Sequence, residues 1–354
     1  MTDPAPHAPH MDATTAQALV AFAEDTTAAL SGLEAKLASH RLEGRYGELL
    51  SAIQWSLDQR RTDEALRLAT ALATFWRVSR RLSEGLDSCE RVLQSAGGDE
   101  VRRGRLGYEA GMLAFWMGND DRASTLMQQG LEIGRRAADP TLTALALCGL
   151  ARIALRTDVA KARRLCRDAL DVTEGTADRA GRSSAIHVLG VAAQMAGDLE
   201  QARTFMTERI ALTRAMGNYA GVSMESSNLS MVERRLGNLG QAERLAREAL
   251  EIFVRREDHW AVPFALNGLA AVARDRGEFA RAATLLAAAD HLLHDQGAAW
   301  PPDERKHYDQ TSATTQEALA PADFERAMAS GRAMSAAQAV VFALEGKVAS
   351  ERAG

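Results

Sequence analysis

Apolar residues along this chain recur at the three-and-four spacing of amphipathic helices. Leu19, Phe22, Ala23, Leu30, Leu33 and Leu37 predict a first helix over 14–38, weakened locally by Gly32. From Leu42 the pattern tightens. Leu49, Leu50, Ile53, Trp55 and Leu57 mark one helix, and Ala65, Leu66, Leu68, Ala69, Leu72, Phe75 and Trp76 mark the next. Residues 1–13 hold three prolines and no apolar periodicity, which predicts a disordered tail.

A longer period lies over the helical one. Gly118-Asn119, Thr157-Asp158, Gly197-Asp198, Gly237-Asn238 and Gly277-Glu278 are each followed by an alanine: Ala123, Ala162, Ala202, Ala242 and Ala282. These alanines lie 39, 40, 40 and 40 residues apart, with a weaker copy at Gly85. Self-similarity at this period implies stacked helical units, each packing on its neighbours. Glycine ends one helix in the left-handed conformation, and the Asn or Asp after it caps the next. Twelve residues before each alanine stands Gly111, Gly190, Ser230 or Ala270, small enough to let two helices approach; Leu150 departs from the pattern.

At 354 residues the chain exceeds the usual span of one compact core, a limit that stacked repeats escape. Aromatics at 5% and net charge −5 fit an all-helical protein and argue against direct nucleic-acid binding, which favours basic surfaces. The arginine pairs Arg80-Arg81, Arg102-Arg103, Arg234-Arg235 and Arg255-Arg256 read as solvated faces. Cys89, Cys148 and Cys166 lack C-x-x-C spacing and read as reduced core residues of a cytoplasmic protein. No apolar run has the length of a membrane span, and the first residues lack the pattern of a secretory signal.

The series Gly190, Gly197, Ala202 resembles the tetratricopeptide repeat, whose period near 34 is shorter than the one here. The resemblance covers about 104–296, and 64–98 loosely. It implies an all-α, right-handed superhelical solenoid of tetratricopeptide-like hairpins, with longer helices or longer connections such as Ala177–Gly181. Leu42-Glu43-Gly44-Arg45-Tyr46, Ala52–Leu57 and Ala65–Leu68 resemble the start of the helical arm in actinobacterial signal-transducing NTPase regulators of the LuxR type. Ala282–Asp290, Gly297–Pro302, Tyr308, Phe324 and Gly331–Ser335 resemble its closing segment. Two parts such regulators carry are missing: a Gly-x-x-x-x-Gly-Lys-Ser/Thr loop, and length after Arg332 for a helix-turn-helix. The resemblance implies a sensor arm acting with a separate NTPase or DNA-binding regulator.

No H-E-x-x-H, G-x-S-x-G or paired-cysteine motif offers catalysis or a metal site, and no cofactor is expected. Binding is the expected work, on the concave face lined by the first helix of each hairpin. The register places Tyr108, Met112, Phe115, Trp116, His187, Gln194, Asn228, Met231, Arg234, Asn267 and Arg274 there. Aromatic and methionine side chains suit an apolar ligand part, while amides and guanidinium forks suit a carboxylate or a peptide backbone. Phe115 and Trp116 equally suit packing between repeats, Asn228 and Asn267 bonding to a helix terminus, and Arg234 and Arg274 ion pairs to the next repeat.

The expected organisation is a tail over 1–13, a helical cap over 14–62, about six repeats over 63–296, a second cap over 297–346 and a tail over 347–354. The expected function is non-catalytic binding of a protein, peptide or small effector in transcriptional or signalling control. A small-molecule or peptide receptor and a DNA-associated regulator stand as alternatives.

Overall fold

The computed structural model describes residues 11–296, 298–300 and 302–345. The expected tails fall outside them, apart from Met11 to Ala13, as do Gly297 and Pro301 of the closing segment. The chain divides at Ala192 into two compact units.

Among the described residues there are no strands. In the first unit lie α1 (Ala13–Ala28), α2 (Ala35–Gly44), α3 (Tyr46–Asp58), α4 (Thr62–Val78), α5 (Leu82–Gln94), α6 (Glu100–Trp116), α7 (Asp120–Arg136), α8 (Pro140–Ala154) and α9 (Val159–Thr173). The division falls within α10 (Arg179–Met195). The second unit holds α11 (Leu199–Ala215), α12 (Tyr219–Arg235), α13 (Leu239–Arg255), α14 (Val262–Asp275), α15 (Phe279–Asp295), α16 (Pro302–Ala318), α17 (Pro321–Arg332) and α18 (Ala336–Glu345). From α3 to α9 and from α11 to α15 consecutive helices pair as antiparallel hairpins, while α1 packs on α4 and α17 on α15. The single helix expected over 14–38 is instead two, because Gly32 adopts extended backbone after a short 3-10 turn, Ala29–Ser31.

Helix length sets the forty-residue period. α11, α12 and α13 are 17 residues each, about 25 Å long, and three residues join α11 to α12 and α12 to α13. Between α9 and α10 the five-residue link 174–178 is longer, but α9 there has only 15 residues. Gly118, Gly197, Gly237 and Gly277 all hold φ between 78° and 82°, the left-handed conformation that stops the helix. Asn119, Asp158 and Asp198 then accept the backbone N–H three residues on. Thr157 does not take the left-handed turn; α8 stops at Ala154, whose carbonyl accepts the Asp158 N–H at 2.7 Å.

The small positions work as close contacts. A Cβ on Gly111 would stand 3.3 Å from the Ala123 carbonyl oxygen and 2.9 Å from Met127 Cγ. Ser230 turns the same proximity into a hydrogen bond, its hydroxyl donating to the Ala242 carbonyl at 2.7 Å. Gly85 replaces the repeat's alanine because Trp76 lies against it: a Cβ there would be 2.7 Å from Trp76 Cβ and Cγ. Trp76 is fully buried and donates its indole N–H to Tyr46 Oη at 2.8 Å.

The second unit buries Leu250, Leu266, Leu285 and Leu286 between α13, α14 and α15. Arg209 and Glu225 form a buried ion pair between α11 and α12. Gly331 brings α17 directly onto the α15 backbone at Thr284 and Ala288. Arg247 and Arg281 donate to the carbonyls of Leu344 and Ala343, holding the end of α18 against α13 and α15. The three cysteines are buried free thiols, and no helix among the described residues is long and apolar enough to cross a membrane.

Candidate functional site

In each hairpin the first helix turns one stripe away from its neighbours. On α12 the buried positions Val222, Glu225, Ser226, Leu229, Ser230, Val232 and Glu233 face α11 and α13. Met224, Asn228, Met231 and Arg235, at spacings of three and four, stay half-exposed or exposed. The matching stripe of α14 is Phe264, Gly268, Ala271 and Asp275, and a Cβ on Gly268 would meet nothing. The free face of the second unit therefore has a low floor beside Asn228 and Met231.

Hydrogen bonds sort the polar residues of this face. Arg234 Nη1 donates to Asp275 Oδ2 at 2.7 Å, and Arg274 Nε donates to Asp275 Oδ1, also at 2.7 Å. Arg274 also donates to Thr311 Oγ1 at 3.3 Å. The carboxylate that these forks suit is thus supplied by the chain itself. Asn267 is 4% exposed and donates to Glu304 Oε2 at 3.2 Å, while its own Oδ1 is buried without a partner. Asn228 differs. Among the described residues its side chain makes no hydrogen bond, so both the donor and the acceptor of its amide are open.

The first unit places its predicted residues less uniformly. Met112 is a core residue, and Tyr108 packs half-buried on the same core, with desolvation and then Glu109 pushing its phenol above the usual range. Phe115 meets Trp116 edge-on, with ring centroids 5.7 Å apart, and lies under the Arg156 guanidinium at 4.6 Å. Arg156 is held by both carboxylate oxygens of Asp120. Trp116 is left 54% exposed at the α6–α7 turn. His187 is buried in the first unit; Gln194, two turns later on α10, is half-exposed and belongs to the second.

One feature was missed by register alone. The free faces of α1, α4 and α6 enclose a cleft of about 490 Å³, lined by Glu24, Thr27, Ala28, Leu66, Arg67, Thr70, Ala71, Thr74, Arg102 and Arg105. Its signal in the sequence was Arg67, Thr70 and Thr74, the only polar positions of α4 between Ala65 and Trp76.

Residues 227–256, covering the second half of α12 and all of α13, match the tetratricopeptide repeat family. No curated protein matches the chain. Its fold is similar to that of a Rap protein solved in complex with Competence and Sporulation Factor, with TM-score 0.56 and 11% identity over 89% of this chain and 100% of that one. It is similar also to the apo form of the quorum sensor NprR from B. thuringiensis, with TM-score 0.50 and 13% identity over 88% of this chain and 85% of that one. A signal transduction ATPase with numerous domains and a tetratricopeptide repeat sensor, from Pyrococcus horikoshii, gives TM-score 0.47 and 12% identity over 91% of this chain and 55% of that one. The chain is a helical-repeat solenoid of the tetratricopeptide type.

Proposed function

We propose that this chain is a non-catalytic sensor that binds an extended peptide on the free face of its second unit. The observation that carries this is the open amide of Asn228. A side-chain amide offers one donor and one acceptor group, the complement of a peptide unit. It sits between Met224 and Met231, whose flexible side chains suit varied apolar residues, beside the low floor at Gly268. Arg234, tied to Asp275, braces α12 against α14, and Arg274 holds the same carboxylate from within α14.

The similarity to a Rap protein complexed with Competence and Sporulation Factor and to a quorum sensor supports sensing by fold. The resemblance of 42–68 and 282–335 to the arm of LuxR-type NTPase regulators supports a cytoplasmic role in transcriptional or signalling control. In that role a bound peptide changes how the chain meets a separate NTPase or DNA-binding regulator.

Selection from a displayed random-peptide library, followed by fluorescence anisotropy on the recovered peptides, tests the reading. Asn228→Ala removes two hydrogen bonds worth about 1 kcal/mol each and is expected to weaken binding by about tenfold or more. Met231→Glu is expected to abolish it, while Glu251→Ala on the outer face of α13 leaves it unchanged. Peptides that bind the Asn228→Ala and Met231→Glu variants at full affinity would overturn the assignment.

A further inference from the structure

The cleft of the first unit is a separate matter from the face that carries Asn228. Its lining residues include three arginines, Arg67, Arg102 and Arg105, each with one carboxylate partner, Glu24, Asp63 and Asp139 in turn. The three guanidinium groups differ in how fully they are engaged. Arg67 closes both of its forward donors on Glu24, at 2.8 and 2.6 Å. Arg105 makes a single hydrogen bond, 3.1 Å to Asp139, a carboxylate that already caps α8. Arg102 has only a loose ion pair, 3.5 Å from Asp63. Each guanidinium carries five N–H donors, so Arg102 and Arg105 keep most of theirs for something else. Between them and α1, the Thr70 hydroxyl has no hydrogen-bond partner among the described residues.

From this we infer that the cleft between α1, α4 and α6 binds a small organic polyanion, one carrying carboxylate or phosphate groups. Planar forks match both oxyanions with paired hydrogen bonds, and the Thr70 hydroxyl adds a donor with adjustable direction. A volume of about 490 Å³ is in the range of small-molecule sites and well above that of a single inorganic ion. Ala28 and Ala71 supply the apolar wall that the carbon body of such a ligand would lie against. The existing pairs do not block it. Arg102 and Arg105 are 46% and 49% exposed, and exposed ion pairs of this kind exchange readily for a better-matched anion.

Thermal shift and calorimetric titration of the whole chain with citrate and with glucose 6-phosphate test the site and separate its two sources, carboxylate and phosphate. Glucose is the uncharged control and hexaglutamate the peptide control. At least one of the two anions is expected to stabilise the protein, with affinity that falls as salt rises. Arg102→Gln and Arg105→Gln are each expected to weaken it by about tenfold, since each removes charge-assisted hydrogen bonds from an exposed side chain that folding does not need. Thr70→Val is expected to weaken it less, and Asn228→Ala to leave it intact. Failure of both anions to bind at millimolar concentration overturns the inference. So does binding that the arginine variants leave unchanged, and so does binding of hexaglutamate alone, which would make the cleft a peptide surface.

Discussion

Gly85→Ala is the substitution on which the repeat pattern and the structure disagree. Alanine stands at this register position in five later repeats, and replacing glycine within a helix gains up to about 1 kcal/mol in propensity. By pattern alone the change should stabilise. In the structure the new methyl would sit 2.7 Å from Trp76 Cβ and Cγ and 2.8 Å from Cδ2. One of the two nearest is Cβ, fixed to the α4 backbone, so no rotamer change clears the clash and α4 and α5 must separate. Overpacking of this kind costs about 1–3 kcal/mol, and contact with three atoms inside 3 Å places this site at the upper end. After the propensity gain, the net loss is about 2 kcal/mol.

Urea denaturation followed by tryptophan fluorescence reads this directly, because Trp76 is itself at the contact. A lower midpoint with an unchanged slope is the expected result. The pairing with Trp76 has a second signature. In a Trp76→Ala background two of the three close atoms, Cγ and Cδ2, are gone, and adding Gly85→Ala should cost at least about 1 kcal/mol less than it does in the parent. A raised midpoint for Gly85→Ala, or the same cost in both backgrounds, would refute the reasoning.

Ala138 holds φ 51°, in the place where other turns use glycine, so Ala138→Gly is expected to raise stability by about 0.5–1 kcal/mol, measured by the same denaturation series. No gain would show that the turn relaxes without strain. Glu225→Gln leaves the Arg209 charge facing a neutral group in a buried setting and should cost about 3–5 kcal/mol. The double change Arg209→Met with Glu225→Leu should recover most of that loss, as judged by denaturation midpoints, and a double variant no better than the single would contradict it.

Helix existence and the repeat period were legible because both follow from apolar spacing and from turn chemistry within a few residues. The glycine-Asn and glycine-Asp turns fell where expected, and the departure at Thr157 showed up as a real shortening of α8 and α9. The helix break at Gly32 was read only as a weakness, since a glycine is tolerated in a helix unless packing elsewhere favours bending there. Leu37, counted in the apolar stripe, is 58% exposed because α2 begins a new phase after that break. The exception at Gly85 was visible as a departure from pattern, but its cause, a tryptophan on the preceding helix, needed the packing.

Site residues were harder for a specific reason. The register fixes which face a residue occupies, while its availability to a ligand depends on a partner about forty residues away. Arg234 and Arg274 share one repeat position and look equivalent to a free fork, yet Asp275 takes both. Asn267 lies one repeat from Ser227 and is nearly buried, its donor bound to Glu304 across to α16. Asn228, one residue further round α12, has Gly268 as its counterpart in the next repeat, a position with no side chain and with open space around it. Its amide is open for that reason. In a stacked-repeat protein, then, the residues available for binding are those whose counterpart in the next repeat is too small or too distant to engage them.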